Sequence, residues 1–523
     1  MQRKALALNL LSALAGLGLL AGVEGILQLC DLGPSPRLFA LAENAGEKVY
    51  TANRDVTYRF FQHPYRRSSP LVQSFAADKA PEVVRVFALG ASTLVGFPHP
   101  VSAAFPHYLE KMLPAAYPER RFEVINCGIT ALNTVCLVDF MREIADYDPD
   151  LVILYAGHNE FMGPYGVTTP FVRVGNDRTM IRFLMLLQHS RIYYYLGELI
   201  AYLQNWAQPE ETTPSFGLHL AREEIGPLDV GYSRTAKNFR ANLEEIALIA
   251  AERGIPLLFS TLVANLKDFH PLRSECDAET PAIEALAAAG QWAEVERQAR
   301  NALRENPYCA NLHFTLGRHH YLRGEYGEAK AAFTRARDMD RLPFRAPTLF
   351  NQILRKVASS SNGVLLCEVE AAFSAASPHG IVGSELISEY VHPTVFGHYL
   401  IARTMVETLA ASPLSSQWGT SSVLGEYEDY RPSYPPLEEV WRRNDLMLFL
   451  KRMPYSAPPA ALRRRLAELL AAQVAALPHL QEAERRQFVE QGGLRFLRRM
   501  LEELHIGDRP ALQRALAEVS GGF

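Results

Sequence analysis

Residues 83–93 read VVRVFALGAST, an apolar run interrupted once by Arg85 that ends on glycine and passes at once to alanine, serine and threonine. With Val83–Leu89 as the first, five such runs occur, the others being Phe122–Ile125, Leu151–Tyr155, Ile255–Thr261 and Val364–Val369. Each is rich in aliphatic or aromatic residues, and helix-like sequence separates each from the next. That alternation predicts βαβ units and an α/β fold around a five-stranded parallel sheet. In such sheets the chemistry gathers at the carboxyl ends of the strands.

The polar residues of interest fall on that edge. Ser92, after the first run, sits at a strand-to-helix turn that exposes its hydroxyl. Gly90 is read as permitting the tight turn, and the helix N-terminus beyond offers N–H groups to an oxyanion. Alone, Ser92 reads as a helix cap. Asn126-Cys127-Gly128 follows the second run and Gly157-His158-Asn159-Glu160 the third. The Gly128 amide and the Asn159 side chain are suitable donors to a developing negative charge, although each is also an ordinary turn residue. Near the end, Glu389-Tyr390-Val391-His392-Pro393 sets an acid and a base three residues apart in one loop. The carboxylate can then hold the imidazole in the tautomer that accepts the serine proton. Asn265 and Asp268 lie past the fourth run and are read equally as substrate contacts or loop ties. His158 and Glu160 are further candidates for touching substrate.

A serine after strand one, a glycine after strand two, Gly-x-Asn after strand three and acid-x-x-His after the last strand occur here together. In that order the chain resembles the SGNH, or GDSL-like, hydrolase superfamily over residues 82–276 and 343–412. The resemblance implies a flavodoxin-like three-layer α/β/α domain. It implies Ser92 as nucleophile, His392 as base with Glu389 as its acid, and an oxyanion hole of the Ser92 amide, Gly128 and Asn159. Two blocks depart from the family. Ala91 stands where an aspartate is usual, beside the nucleophile and not in its place. Glu389 replaces the usual Asp and is one methylene longer. The Gly-His-Asn-Glu-Phe run is similar to that of bacterial exported members with an N-terminal membrane helix and a helical-repeat insertion.

The N-terminus fits that likeness. Residues 5–29 are almost wholly apolar and follow Arg3 and Lys4. About 25 residues suffice to cross a hydrocarbon core of roughly 30 Å, and the basic pair keeps the N-terminus inside. An uncleaved single-pass anchor over residues 1–30 is read ahead of a cleaved signal peptide or a lipoprotein signal at Cys30. The remainder then faces the periplasmic side. Residues 31–81 read as a polar connector with strand-like pieces at Val49–Thr51 and Val56–Phe61. Residues 179–206 read as a buried helix, ahead of a cap over the site or a helix lying on the membrane. Residues 277–342 carry Gly290-Gln-Trp292 again as Gly324-Glu-Tyr326, the 34-residue spacing of a tetratricopeptide (TPR) helix pair. Packing is preferred there over a groove for a protein partner. Residues 413–436 read as a linker and 437–523 as a helical region that caps or associates.

Hydrophobic residues make up 48% and charged residues 21%, a globular balance, and the net charge of −4 gives no reason to expect nucleic acid. The cysteines, at 30, 127, 136, 276, 309 and 367, form no CxxC pair, so metal-site spacing is absent and most read as buried thiols. No cofactor is implied. The function these features predict is ester hydrolysis or deacylation through an acyl-serine, on acylated glycan or lipid or a small ester. The alternatives are an O-acyltransferase of the same superfamily and a catalytically degenerate interaction protein using the repeats.

Overall fold

The computed structural model describes residues 2–61, 69–169, 177–207, 224–276, 280–453 and 460–504. In chain order its strands are β1 (Phe39–Asn44), β2 (Glu47–Ala52), β3 (Ser74–Ala76), β4 (Val83–Gly90), β5 (Arg121–Asn126), β6 (Leu151–Tyr155), β7 (Leu257–Ser260) and β8 (Val364–Cys367). The last five form a parallel sheet ordered β5-β4-β6-β7-β8. The order reverses at β4, so the carboxyl end of β4 opens at the topological switch point.

All eight residues of β4 are buried, Arg85 among them. A buried guanidinium is tolerated only when its donors are matched. Arg85 donates to Glu123 at 2.7 Å, to the Tyr147 carbonyl at 2.9 Å and to the Ala76 carbonyl at 2.7 Å. Helices Phe105–Ala116 and Val395–Ala410 pack as one group, and Thr134–Ile144, Val230–Arg253 and Thr348–Ser360 as another.

The connector is docked rather than loose. β1–β3 form an antiparallel sheet, and Phe39 and Phe75 stack edge-on with Phe87 of β4 at 6.3 and 5.6 Å. Each such pair contributes roughly 0.5–1.5 kcal/mol beyond burial. The strand expected at Val56–Phe61 is instead a 3-10 turn over Arg54–Arg59, because the Asn53 side chain accepts the Asp55 amide and caps it.

Residues 280–338 form two helix pairs, Thr280–Ala288 with Trp292–Glu305 and Ala310–Leu322 with Tyr326–Asp338. Corresponding positions match: Gly290 and Gly324 both take positive φ, at 74° and 77°, and Val295, Ala299, Ala329 and Phe333 are all buried. The second pair leans on the sheet domain through Leu266 and Ile381. Cys276 and Cys309 are disulfide-bonded, joining the chain before the first pair to the N-cap of helix Ala310–Leu322 and so closing a loop around the first pair. Most cysteines were expected as thiols, which holds for Cys127, Cys136 and Cys367, all buried.

A second expectation is corrected. Residues 179–206 are not a buried helix but two, Arg178–Leu187 and Arg191–Ala207. Both carry exposed apolar side chains, among them Phe183, Leu199, Tyr202 and Trp206. Apolar residues on every face of such a helix do not reveal which face the core covers. Glu24, near the end of the N-terminal helix Gln2–Leu29, holds the second of these helices by accepting the amides of Arg191 at 2.9 Å and Ile192 at 3.0 Å. Among the described residues no helix is long and apolar enough to cross a membrane. The side chains of residues 1–8, 10 and 13 lie outside the described set, and the anchor expected over 5–29 falls partly on them.

The segments expected as linker and C-terminal bundle join the main core. Trp418 packs on Tyr117 and Phe122. Helices Pro436–Arg452, Ala460–Ala476, Glu482–Glu490 and Gly493–Leu504 share one hydrophobic cluster with the sheet domain. Residues 505–523 lie outside the described residues.

Candidate active site

β4 ends in Gly90, and a short helix, Ser92–Val95, starts at once with Ala91 as its N-cap. Ser92 is thus the first helical residue and not a cap. Its Oγ lies 2.7 Å from His392 Nε2. Gly90 is required by close approach rather than by its dihedrals: a Cβ there would meet the Tyr155 carbonyl at 2.5 Å.

His392 is held by its own loop. Glu389 is fully buried, and its Oε1 faces His392 Nδ1 while accepting the His392 amide at 2.9 Å. Its other oxygen faces the Tyr390 amide. The extra methylene relative to aspartate is absorbed by this fold-back, so the carboxylate still meets the imidazole. The loop is closed by Ser388 N–H to the His392 carbonyl at 2.7 Å and Thr394 N–H to the Leu386 carbonyl at 2.9 Å. Thr394 then caps helix Val395–Ala410 by accepting the Gly397 amide at 3.0 Å.

The expected oxyanion donors differ in readiness. A Cβ at Gly128 would sit 2.5 Å from Leu94 Cβ, so its backbone packs directly on the Ser92 turn. Yet the Gly128 amide donates to Asn126 Oδ1 at 2.9 Å, and Asn126 Nδ2 donates to the Leu94 carbonyl at 2.8 Å. It reaches a ligand only by sharing its hydrogen or by a turn of Asn126. Asn159 gives one amide hydrogen to the Leu132 carbonyl at 2.9 Å and keeps a second. The Ser92 amide stands in a first helical turn, where N–H groups have no intrahelical acceptor.

The four further candidates each hold a neighbouring segment of the chain. Asn265, fully buried, donates to the Ile387 carbonyl at 3.2 Å and accepts the Asp268 amide at 3.0 Å, while Asp268 accepts the Ser384 amide at 2.6 Å. Both therefore tie down the loop that carries His392. His158 accepts the Ala346 amide at 3.1 Å. Glu160 accepts the Thr134 amide at 3.0 Å and its hydroxyl at 2.7 Å. Burial pushes the Glu160 carboxyl up to about 7 and His158 down to about 3. Burial likewise lowers His99 to about 4 and holds His398 far below its usual range.

Three aromatic rings complete the surroundings. Phe97, Phe449 and Phe344 lie 4.8, 6.0 and 6.4 Å from the His392 ring. Neither these rings nor Asn126 was singled out in the sequence. Asn126, two residues before Gly128, carried the signature of an Asx turn; the rings carried none. A cavity of about 580 Å³ elsewhere is lined by Asp139, Arg142, Arg178, Arg182 and Glu245. The three arginines there are already paired with Glu245.

Ser, Gly, Asn and His stand in family order at one edge of a sheet whose strand order reverses beside the serine. The fold is α/β, built on a parallel five-stranded sheet, and is consistent with an SGNH-like domain.

No family model matches the chain and no curated protein matches it. Among solved structures it is similar to an acetyl xylan esterase, AlAXEase, at 12% identity and a TM-score of 0.30, covering 62% of this chain and 100% of that one. It is similar to a GDSL-like lipase from Bacteroides thetaiotaomicron VPI-5482 at 9% identity and a TM-score of 0.30, covering 64% and 91%. A lipase/acylhydrolase from Enterococcus faecalis matches at 12% identity and a TM-score of 0.29, covering 66% and 100%. Likeness this distant speaks to neither substrate nor residue roles.

Proposed function

We propose that the chain is an SGNH-type serine ester hydrolase, and the observation that carries this is the continuous chain from Ser92 Oγ through His392 to the buried Glu389. Ser92 Oγ attacks the acyl carbonyl while His392 Nε2 takes its proton, and Glu389 stabilises the imidazolium. The Ser92 amide and Asn159 Nδ2 donate to the tetrahedral oxyanion, joined by Gly128 when Asn126 yields. His392 returns the proton to the departing alcohol, and water then releases the acid from Ser92.

The chain is further proposed to be anchored by residues 5–29, with its catalytic domain on the periplasmic side. The apolar run after Arg3 and Lys4 supports this reading. So does the Cys276–Cys309 disulfide, a bond that persists in oxidising compartments. The substrate class that fits is an acylated glycan or lipid.

Purified protein incubated with an aryl acetate, with and without an acylatable glycan, tests the assignment. Acetate release that disappears in Ser92→Ala is expected. Acetyl transfer to the glycan in place of release would shift the reading to an O-acyltransferase. Release unchanged by Ser92→Ala would end the enzymatic reading and leave the helix pairs as a binding platform.

A further inference from the structure

The C-terminal helices were expected to cap or associate, yet one of them reaches the catalytic histidine. Helix Pro436–Arg452 buries Val440, Leu446, Met447 and Leu450 in the main core. Gln473 pins it from the next helix, donating to the Val440 carbonyl at 2.6 Å and to Asn444 Oδ1 at 3.0 Å. The side chain this rigid helix sends toward His392 is Phe449, half-buried. Its ring centre lies 5.3 Å from Phe97 and 5.9 Å from Phe344. Phe97 belongs to the loop directly after the Ser92 helix, and Phe344 to the stretch returning from the helix pairs.

Ring centres at these separations are in van der Waals contact. No methylene chain, itself about 4 Å across by ordinary carbon–carbon contact distances, passes between them without displacing one. Ser92 Oγ, 2.7 Å from His392 Nε2, opens beside this wall. We infer that Phe449, supplied by the C-terminal helical region, is a specificity-determining residue that restricts the Ser92 site to esters of short acyl groups. This rests on the ester-hydrolase reading. Phe97 is fixed by the nucleophile's own turn and Phe344 is buried, so Phe449 is the member whose truncation opens space without disturbing Ser92.

The test is kcat/KM of the full-length protein on p-nitrophenyl acetate, butyrate and octanoate, for wild type, Phe449→Ala and Phe449→Leu. Wild type is expected to favour acetate. Phe449→Ala is expected to raise the octanoate-to-acetate ratio at least tenfold, with Phe449→Leu between the two. A fluorophosphonate probe on Ser92 and a thermal melt establish that each variant is folded and has a competent nucleophile. A labelled, folded Phe449→Ala whose ratio stays within twofold of wild type overturns the inference and leaves the hydrolase reading intact. Should Phe449→Ala not fold, an unchanged ratio in Phe449→Leu overturns it in the same way. A folded wild type that neither turns over any ester nor labels at Ser92 overturns the hydrolase reading itself.

Discussion

Replacing Glu389 by glutamine exchanges one oxygen for an NH2 group at a point where the structure leaves no orientation that suits both neighbours. Glu389 Oε1 faces His392 Nδ1 and also accepts the His392 amide, while Oε2 faces the Tyr390 amide. All three protein groups donate to a carboxylate, which only accepts. If the new NH2 takes the Oε1 place, it donates to Nδ1 and meets the His392 amide head-on. The imidazole then carries its proton on Nε2 and cannot accept from Ser92. If the NH2 takes the Oε2 place, it opposes the Tyr390 amide and breaks the fold-back that positions the side chain. In the Ser-His-Asp template, an acid-to-amide change that fixes the wrong tautomer costs about 10⁴ in kcat. The second orientation relieves part of that, so a loss of about 10³–10⁴ in kcat is expected, or roughly 4–5.5 kcal/mol of barrier. The assay is steady-state hydrolysis of p-nitrophenyl acetate from pH 5 to 9, with KM followed separately. KM should move little. Glu389→Gln with kcat within fivefold of wild type, in a folded protein, would refute the role of the carboxylate.

Gly128→Ala places a Cβ 2.5 Å from Leu94 Cβ and 2.9 Å from Asn126 Oδ1. Displacing the Ser92 turn should lower kcat about 10²-fold or more, the worth of one oxyanion donor, at a stability cost of about 1–3 kcal/mol. Leu94→Ala keeps the offending Cβ and should not rescue it, as double-mutant kinetics will show. The pH dependence of stability follows Glu160, whose carboxyl rises from 4.5 unfolded to about 7 in the fold through burial. A raised acid contributes stability that is present below its unfolded value and lost as pH rises through the folded value. Between pH 4.5 and 7.5 wild type should lose roughly 3 kcal/mol relative to Glu160→Gln, read from urea midpoints at each pH; parallel curves would contradict it.

The parallel sheet was legible because each buried strand is a short apolar run set off by helix-like sequence. The site positions were legible because a switch point gathers chemistry at known strand ends. Other features were decided by packing. Asn265, Asp268, His158 and Glu160 all lie near that edge, and only the folded structure shows the loop-holding hydrogen bonds they make. The exposed helices at 178–207 escaped because an apolar side chain looks the same whether or not a core covers it. Phe449 escaped because its Leu-rich helix spells burial, while the contact with His392 spans distant parts of the chain.

The central claim is that Ser92 is a nucleophile activated by His392. It is tested most directly by treating the folded protein with a fluorophosphonate and locating the adduct by peptide mass spectrometry. The account predicts a single adduct on Ser92, abolished by His392→Ala and by prior heat denaturation. Absence of any adduct on Ser92 in folded wild type, or equal labelling in His392→Ala, would contradict it.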